Sequence, residues 1–484
     1  MKLKEILFKN LTLKQTIAKN FFWLSFSQIF SKILRATLFI FAARILGPKE
    51  YGNFAFALSL ISLFLIFGDL GLSSLITREF PKRKETLNEF LSTSFRLKLI
   101  FILLFVFLVL FSQFFIPSKE VKILIFLLLL MGIFENLLFF FYGILRGKEE
   151  MEKEAFIFSL ETLITFLLGI SFLFLFPSAK NLAFAYLSGS FLAFLTSFFF
   201  LKQNFKNLFF YFQKNLAKKI ALEAFPFAFA GFIGNLLTYL DVVMIGFLLK
   251  NSTLVGIYSA PLKIIRVLFL PAGLLATSLL PVISKKIPQE KELIKKSISF
   301  LFLLAFPLSF GGFFLSKEII LFLFGPAYLE SSKIFSILIF LPLLVFPTTI
   351  FGYLLFAYNL QRKNALFSLA SAALNFFLNL ILILKFGIVG AASATLISQF
   401  FNFLLFFLAS RNLEKTSLIS FSQIKNPFLA SLTMSAFILI LKNFSLHLIL
   451  IIFLSALFYL TFLFLLKEPI LKEIKEIFSL KLKL

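Results

Sequence analysis

AKNFFWLSFSQIFSKILRATLFIFAARIL, GPKEYG, NFAFALSLISLFLIFGDLGLSSLIT: read in sequence, residues 18–77 are two apolar runs around one short polar connection. The runs, 18–46 and 53–77, each exceed the roughly 20 residues with which a helix crosses a bilayer core. They lack the period-two alternation of strands in a membrane barrel. This stretch therefore predicts a hairpin of two membrane-spanning helices.

The same pattern fills the chain. Apolar runs recur near 97–116, 121–145, 155–176, 181–201, 220–248, 255–283, 297–315, 331–358, 364–384, 388–410, 427–441 and 446–466. With the first two they make about fourteen transmembrane helices in an all-α membrane protein. The thirteenth is short, so twelve or thirteen spans stay open on sequence alone. Composition agrees. Of 484 residues, 60% are hydrophobic and 15% charged, with a mean hydropathy of +0.99; soluble chains hold about 25% charged residues. Phe supplies 78 residues against 10 Tyr and one Trp, which reads as lipid-facing filler. No connection is long enough for a folded domain, so function belongs within the spans.

Some chemistry is excluded outright. There is no cysteine, hence no disulfide, thiolate metal site or Cys nucleophile. The single histidine, His447, leaves no His cluster for a metal and no Ser-His-Asp triad elsewhere. No cofactor is expected.

The formal charge is +25, and its placement gives it a meaning. With the N-terminus in the cytoplasm, the even connections and both tails carry 34 Lys and Arg, the odd connections 9, and the spans 5. By the positive-inside rule both termini are cytoplasmic, which requires an even number of spans and favours fourteen or twelve. Orientation explains the basic balance, and nucleic acid is not needed as a partner. The first span is too long for the apolar core of a cleaved signal. Residues 1–19 read either as a basic interfacial helix or as a solvated tail.

A weak internal repeat divides the chain. GPKEYGNFAFALSL around residue 52 and NSTLVGIYSAPLKI around residue 256 both open a span with Gly, aromatic, small. Six spans separate them, so the copies insert the same way up. This predicts two parallel six-helix lobes with a cavity between them: 20–216 (spans 1–6) and 217–425 (spans 7–12). Spans 13 and 14, with a basic C-terminal tail, form an accessory segment over 426–484.

Charged residues inside a membrane cost about 2.5–3.5 kcal/mol each on insertion scales and need a reason. Lys32 and Arg35 are three residues apart on span 1 and share a face; Lys263 and Arg266 repeat that spacing on span 8. Arg binds two phosphate oxygens at once, so the two pairs are candidate ligands of an anionic, phosphorylated headgroup. Asp69, Glu135, Glu161 and Asp241 are candidate gating residues or counter-ions. Glu135 and Glu161 also fit proton or cation sites. Five cations and five acids cancel, so interhelical ion pairing is the competing explanation. Glu223 and Arg44 lie near span ends, where snorkelling is cheap. Asn235, Asn375 and Asn379 suit either sugar hydroxyls or interhelical bonding.

AARILGPKEYG at 42–52, FGDLGLSSLITREF at 67–80 and DVVMIGFLLKNSTLVGIYSAPLKI at 241–264 resemble the prokaryotic polysaccharide transporter family, the Wzx-type lipid-linked oligosaccharide flippases of the multidrug/oligosaccharidyl-lipid/polysaccharide exporter superfamily. The resemblance implies a flippase in the cell inner (cytoplasmic) membrane. It would move an undecaprenyl-pyrophosphate-linked sugar unit from the inner to the outer leaflet by alternating access. By position, Lys32, Arg35, Lys263 and Arg266 correspond to cavity cations, and the last two spans to a pair that frames a lipid-tail groove. The expected partners are a polyprenyl-pyrophosphate-linked glycan, the bilayer and glycan polymerase machinery. A drug/cation antiporter of the superfamily would favour acidic cavities. A lipid II-type precursor flippase would use the same headgroup chemistry. A lipid-linked glycan polymerase or glycosyltransferase would need a large outer loop or an interfacial carboxylate motif, and neither is visible. A non-transporting scaffold remains the further alternative.

Overall fold

The computed structural model describes residue 10 and residues 12–83, 85–205, 211–284, 290–414, 418–444 and 446–470. The described residues are helical almost throughout and contain no strand. Most of the basic segment expected over 1–19, and the tail beyond 470, lie outside them.

Among the described residues, twelve helices are long and apolar enough to cross a membrane. Two of these, Gln15–Gly68 and Gln361–Leu413, contain 54 and 53 residues, about twice the length a single pass needs. Each bends sharply at a glycine: Gly47 has φ 74° and ψ 171°, Gly387 φ 60° and ψ −139°. Each is therefore a hairpin of two passes, and the described residues hold fourteen membrane-length segments. Span 13, the short one in the sequence, is the 22-residue helix Phe421–Lys442. At about 1.5 Å per residue it reaches across a hydrocarbon core. Several spans are interrupted. Span 2 passes from helix into a 3₁₀ turn, Leu65–Gly68, then through Leu70 and Gly71 at positive φ into the short helix Leu72–Glu79. Span 8 is two helices, Ser252–Leu268 and Leu270–Ser284.

Two compact units emerge, Met1–Gly256 and Ile257–Leu484. In the first, the core gathers Phe90, Phe95, Phe140, Phe141 and Ile144 from spans 3 and 4, with Leu72 and Ile76 of the short helix. Span 7, Lys214–Leu249, packs within this unit against spans 1 and 2. In the second, one core joins spans 8, 9, 10 and 12 through Ile294, Phe302, Phe346, Phe351 and Phe406. Spans 13 and 14 pack on span 9 there, where the Tyr459 hydroxyl donates to the Leu303 carbonyl at 2.9 Å. The outward surface is rich in phenylalanine, including Phe114, Phe199 and Phe464, as a lipid-facing surface requires.

The glycines that open the two copies of the repeat motif touch. A Cβ on Gly52 would lie 1.8 Å from the Ser252 carbonyl oxygen and 2.8 Å from the Gly256 nitrogen; one on Gly256 would lie 2.0 Å from the Pro48 carbonyl oxygen. Only glycine lets these backbones approach so closely.

Candidate functional site

Span 1 carries the first cation pair. Lys32 is exposed, and among the described residues it has no hydrogen bond or carboxylate partner. Arg35, one turn on, faces span 5. Its Nη2 lies 3.8 Å from Glu161 Oε1, and its guanidinium stands 5.2 Å from the Phe158 ring centre. Beside it the Thr162 hydroxyl donates to Ser31 Oγ at 3.0 Å, fixing spans 1 and 5 in register. Glu135 from span 4, Tyr186 from span 6 and Tyr239 from span 7 are within electrostatic reach of Arg35. The structure thus brings three of the eight sequence candidates, Arg35, Glu135 and Glu161, to one place.

Asp69 belongs to a different cluster. Its Oδ1 accepts from Lys98 Nζ at 2.6 Å and from the Ser73 hydroxyl, while Oδ2 accepts from the Ser73 amide at 3.4 Å. Lys98 also donates to Asn136 Oδ1 at 3.2 Å, and Asn136 donates to the Gly132 carbonyl. Lys98 is fully buried. Lys98, at the first edge of the run 97–116, is counted with the charges of the connection before it; the structure places it inside the protein, on the helix Leu87–Ser112. Asp69, an acid in an apolar run, signals that a partner exists but not which lysine supplies it.

The end of span 2 is tied to span 7. Arg78 donates to Glu79 at 2.8 Å and to Glu223 at 3.1 Å, and its guanidinium stacks on Phe227. Lys82 and Arg83 add contacts to Glu79 at 3.0 and 3.4 Å. Burial alone would raise the Glu79 carboxyl, but hydrogen bonds from Lys82 and Arg78, with their charges, together hold it below the usual carboxylate range. Lys19 reaches Glu152 at 2.7 Å and Asn10 at 2.6 Å, anchoring the start of span 1 to that of span 5.

Asp241 is buried on span 7 in the first unit. Lys263 and Arg266 lie half-buried on span 8 in the second unit. The softer polar candidates are taken up in hydrogen bonds: Asn375 donates to Ser398 at 3.3 Å and Asn235 to the Ser62 carbonyl at 2.9 Å, both between spans, and Asn379 donates to Asn375 at 3.0 Å within span 11. Among the described residues no group of three or more His, Asp or Glu is placed to hold a metal ion. Among the described residues, this part of the first unit offers one cation without a carboxylate partner, Lys32, one loosely paired cation, Arg35, the buried Glu161 and the half-buried Glu135.

Residues 17–287 match the family described as polysaccharide biosynthesis protein, more than half of the chain. A probable low-salt glycan biosynthesis flippase, Agl15 of Haloferax volcanii, is 31% identical over 170 residues; the match spans 34% of this chain and only 36% of that protein. Capsular polysaccharide biosynthesis protein CapF of Staphylococcus aureus is 25% identical over 403 residues, covering 79% of this chain and 96% of that one. Among solved structures, the lipid II flippase MurJ in an inward closed conformation superposes with a TM-score of 0.76, covering 90% of this chain and 97% of that one at 20% identity. That likeness shows a shared fold.

Proposed function

The chain belongs to the polysaccharide biosynthesis protein family, a multi-pass membrane protein with the fold of a lipid-linked precursor flippase, and from that premise we propose that it moves a polyprenyl-pyrophosphate-linked oligosaccharide between the leaflets of the cytoplasmic membrane. Both termini face the cytoplasm, as the cation count indicates. Lys32, Arg35, Lys263 and Arg266 engage the phosphates in turn as the protein alternates its access, and the polyprenyl tail stays in lipid. The protein acts as a transporter and catalyses no covalent step.

The observation that carries the reading is Lys32. An exposed ammonium on a membrane-spanning helix, with no carboxylate partner among the described residues, is retained against a cost of about 2.5–3.5 kcal/mol. An anionic ligand gives it a partner. A drug/cation antiporter would instead place a bare carboxylate at such a position. The likeness of fold to the lipid II flippase favours one second reading, a peptidoglycan precursor carried on the same pyrophosphate chemistry.

The test is Lys32→Ala combined with Arg266→Ala. Export of lipid-linked glycan should be abolished while the protein stays folded and inserted, as fluorescence-detected size exclusion reports. Unchanged export in a folded double variant overturns the reading.

A further inference from the structure

We propose that Arg35 is a two-position residue. It rests on the Glu161 carboxylate until a phosphate arrives, and then turns to the phosphate while the Tyr186 and Tyr142 hydroxyls replace it as donors to the two acids. This rests on the reading of span 1 as a phosphate site and adds the device that loads and empties it.

The resting contact is loose. Charge-assisted hydrogen bonds to a carboxylate run about 2.7–2.9 Å, whereas Arg35 stands 3.8 Å from Glu161 and makes no hydrogen bond among the described residues. The Arg35 side chain is 36% exposed, Glu161 only 8%. The guanidinium is therefore held by charge and by the Phe158 ring, with its planar donors unused.

Removing Arg35 from this place would leave the buried Glu161 within electrostatic reach of the half-buried Glu135 with no cation between them, which is costly for uncompensated charge. The site already holds the replacements. Tyr142 and Tyr186 are buried, and neither hydroxyl has a hydrogen-bond partner among the described residues. Both hydroxyls lie within electrostatic reach of Arg35, Glu135 and Glu161. Two orphaned buried hydroxyls within electrostatic reach of two carboxylates are unusual, because such groups are normally satisfied. They make sense as donors for a second arrangement. Lys32, one turn away, faces no carboxylate in the resting state and is ready to meet the phosphate first.

The carboxylates thus act as an internal competitor for the ligand. They weaken its hold on Arg35, which favours release after crossing. Inorganic pyrophosphate binding to the purified full chain in nanodiscs, read by calorimetry, tests this. Glu161→Gln should bind about tenfold tighter, since a like charge beside the ligand is removed. Glu135→Gln gives the same readout should the first variant fail to fold. Tyr142→Phe with Tyr186→Phe should weaken binding several-fold without lowering the melting temperature of the ligand-free protein. Equal or weaker binding by both folded Gln variants overturns the proposal. So does a tyrosine pair whose loss destabilises the ligand-free protein and leaves binding unchanged. Lys32→Ala separates the two claims. If it binds as well as the parent, the phosphate site itself fails. If it weakens binding while the Gln variants bind no tighter, only the two-position device fails.

Discussion

Two ionic clusters in the first unit make different demands on their residues. Lys98 is fully buried against Asp69, whose side chain is 13% exposed. Removing one partner leaves the other uncompensated, so Lys98→Met should cost about 3–5 kcal/mol; adding Asp69→Asn should recover most of that. Thermal unfolding of the single and double variants in detergent reads the difference, and an additive result would deny the pairing. Glu79 is shielded by its own side of the protein yet ringed by more exposed cations, Arg78, Lys82 and Arg83. Its folded pKa is depressed, so the stability it contributes is whole above the ordinary glutamate value of about 4.3 and is lost as pH falls from there through the folded value. Glu79→Gln should therefore lower the melting temperature most at neutral pH, flatten the acid limb, and change little at its low-pH end. The sequence marks intramembrane charges clearly, because a charge in an apolar run is conspicuous. It does not pair them. Lys98 stands at the edge of its run and is counted with the connection, and the tyrosines beside Arg35 carry no charge to draw notice.

Elements were the most legible level. The fourteen runs read from hydropathy correspond one to one with the membrane-length segments, because the bilayer fixes their length and leaves backbone polar groups no partner outside a helix. What hydropathy cannot see is how a helix bends. Gly47 and Gly387 turn two continuous helices into hairpins, and span 2 breaks at Leu70 and Gly71 through a backbone conformation that composition does not encode. The glycines separate two physical roles. Gly47 needs its positive φ but has open space around the missing Cβ, while Gly52 sits against the Ser252 carbonyl. Gly47→Ala should cost about 1–3 kcal/mol of backbone strain. Gly52→Ala must push spans 2 and 8 apart at their ends and should lose folded protein altogether. Expression and monodispersity of the two variants side by side give the answer; equal behaviour would refute the close packing.

Across the whole molecule the formal +25 resolves into unlike parts. Most of it lies in the connections, where the positive-inside rule reads it as an orientation signal. The charges within the spans, with buried Lys98 counted among them, nearly cancel, so net charge conceals the proposed site residues. Orientation and site together decide the energetics of transport. A pyrophosphate leaving a cell whose interior is negative gains about 2.3 kcal/mol per charge per 100 mV, and about twice that for two charges. Lys32 has no carboxylate partner among the described residues, and Arg35 is shared with Glu161. The protein thus returns with its own charges nearly balanced, and the loaded step carries the net movement of charge. An imposed potential alone should then drive the cargo. In liposomes of one orientation, flipping should rise with an inside-negative potential and fall with the opposite sign, with no ion gradient present. Transport that ignores the potential and follows a sodium or proton gradient would place the energy source in a coupled ion and return Glu135 and Glu161 to the role of its binding site.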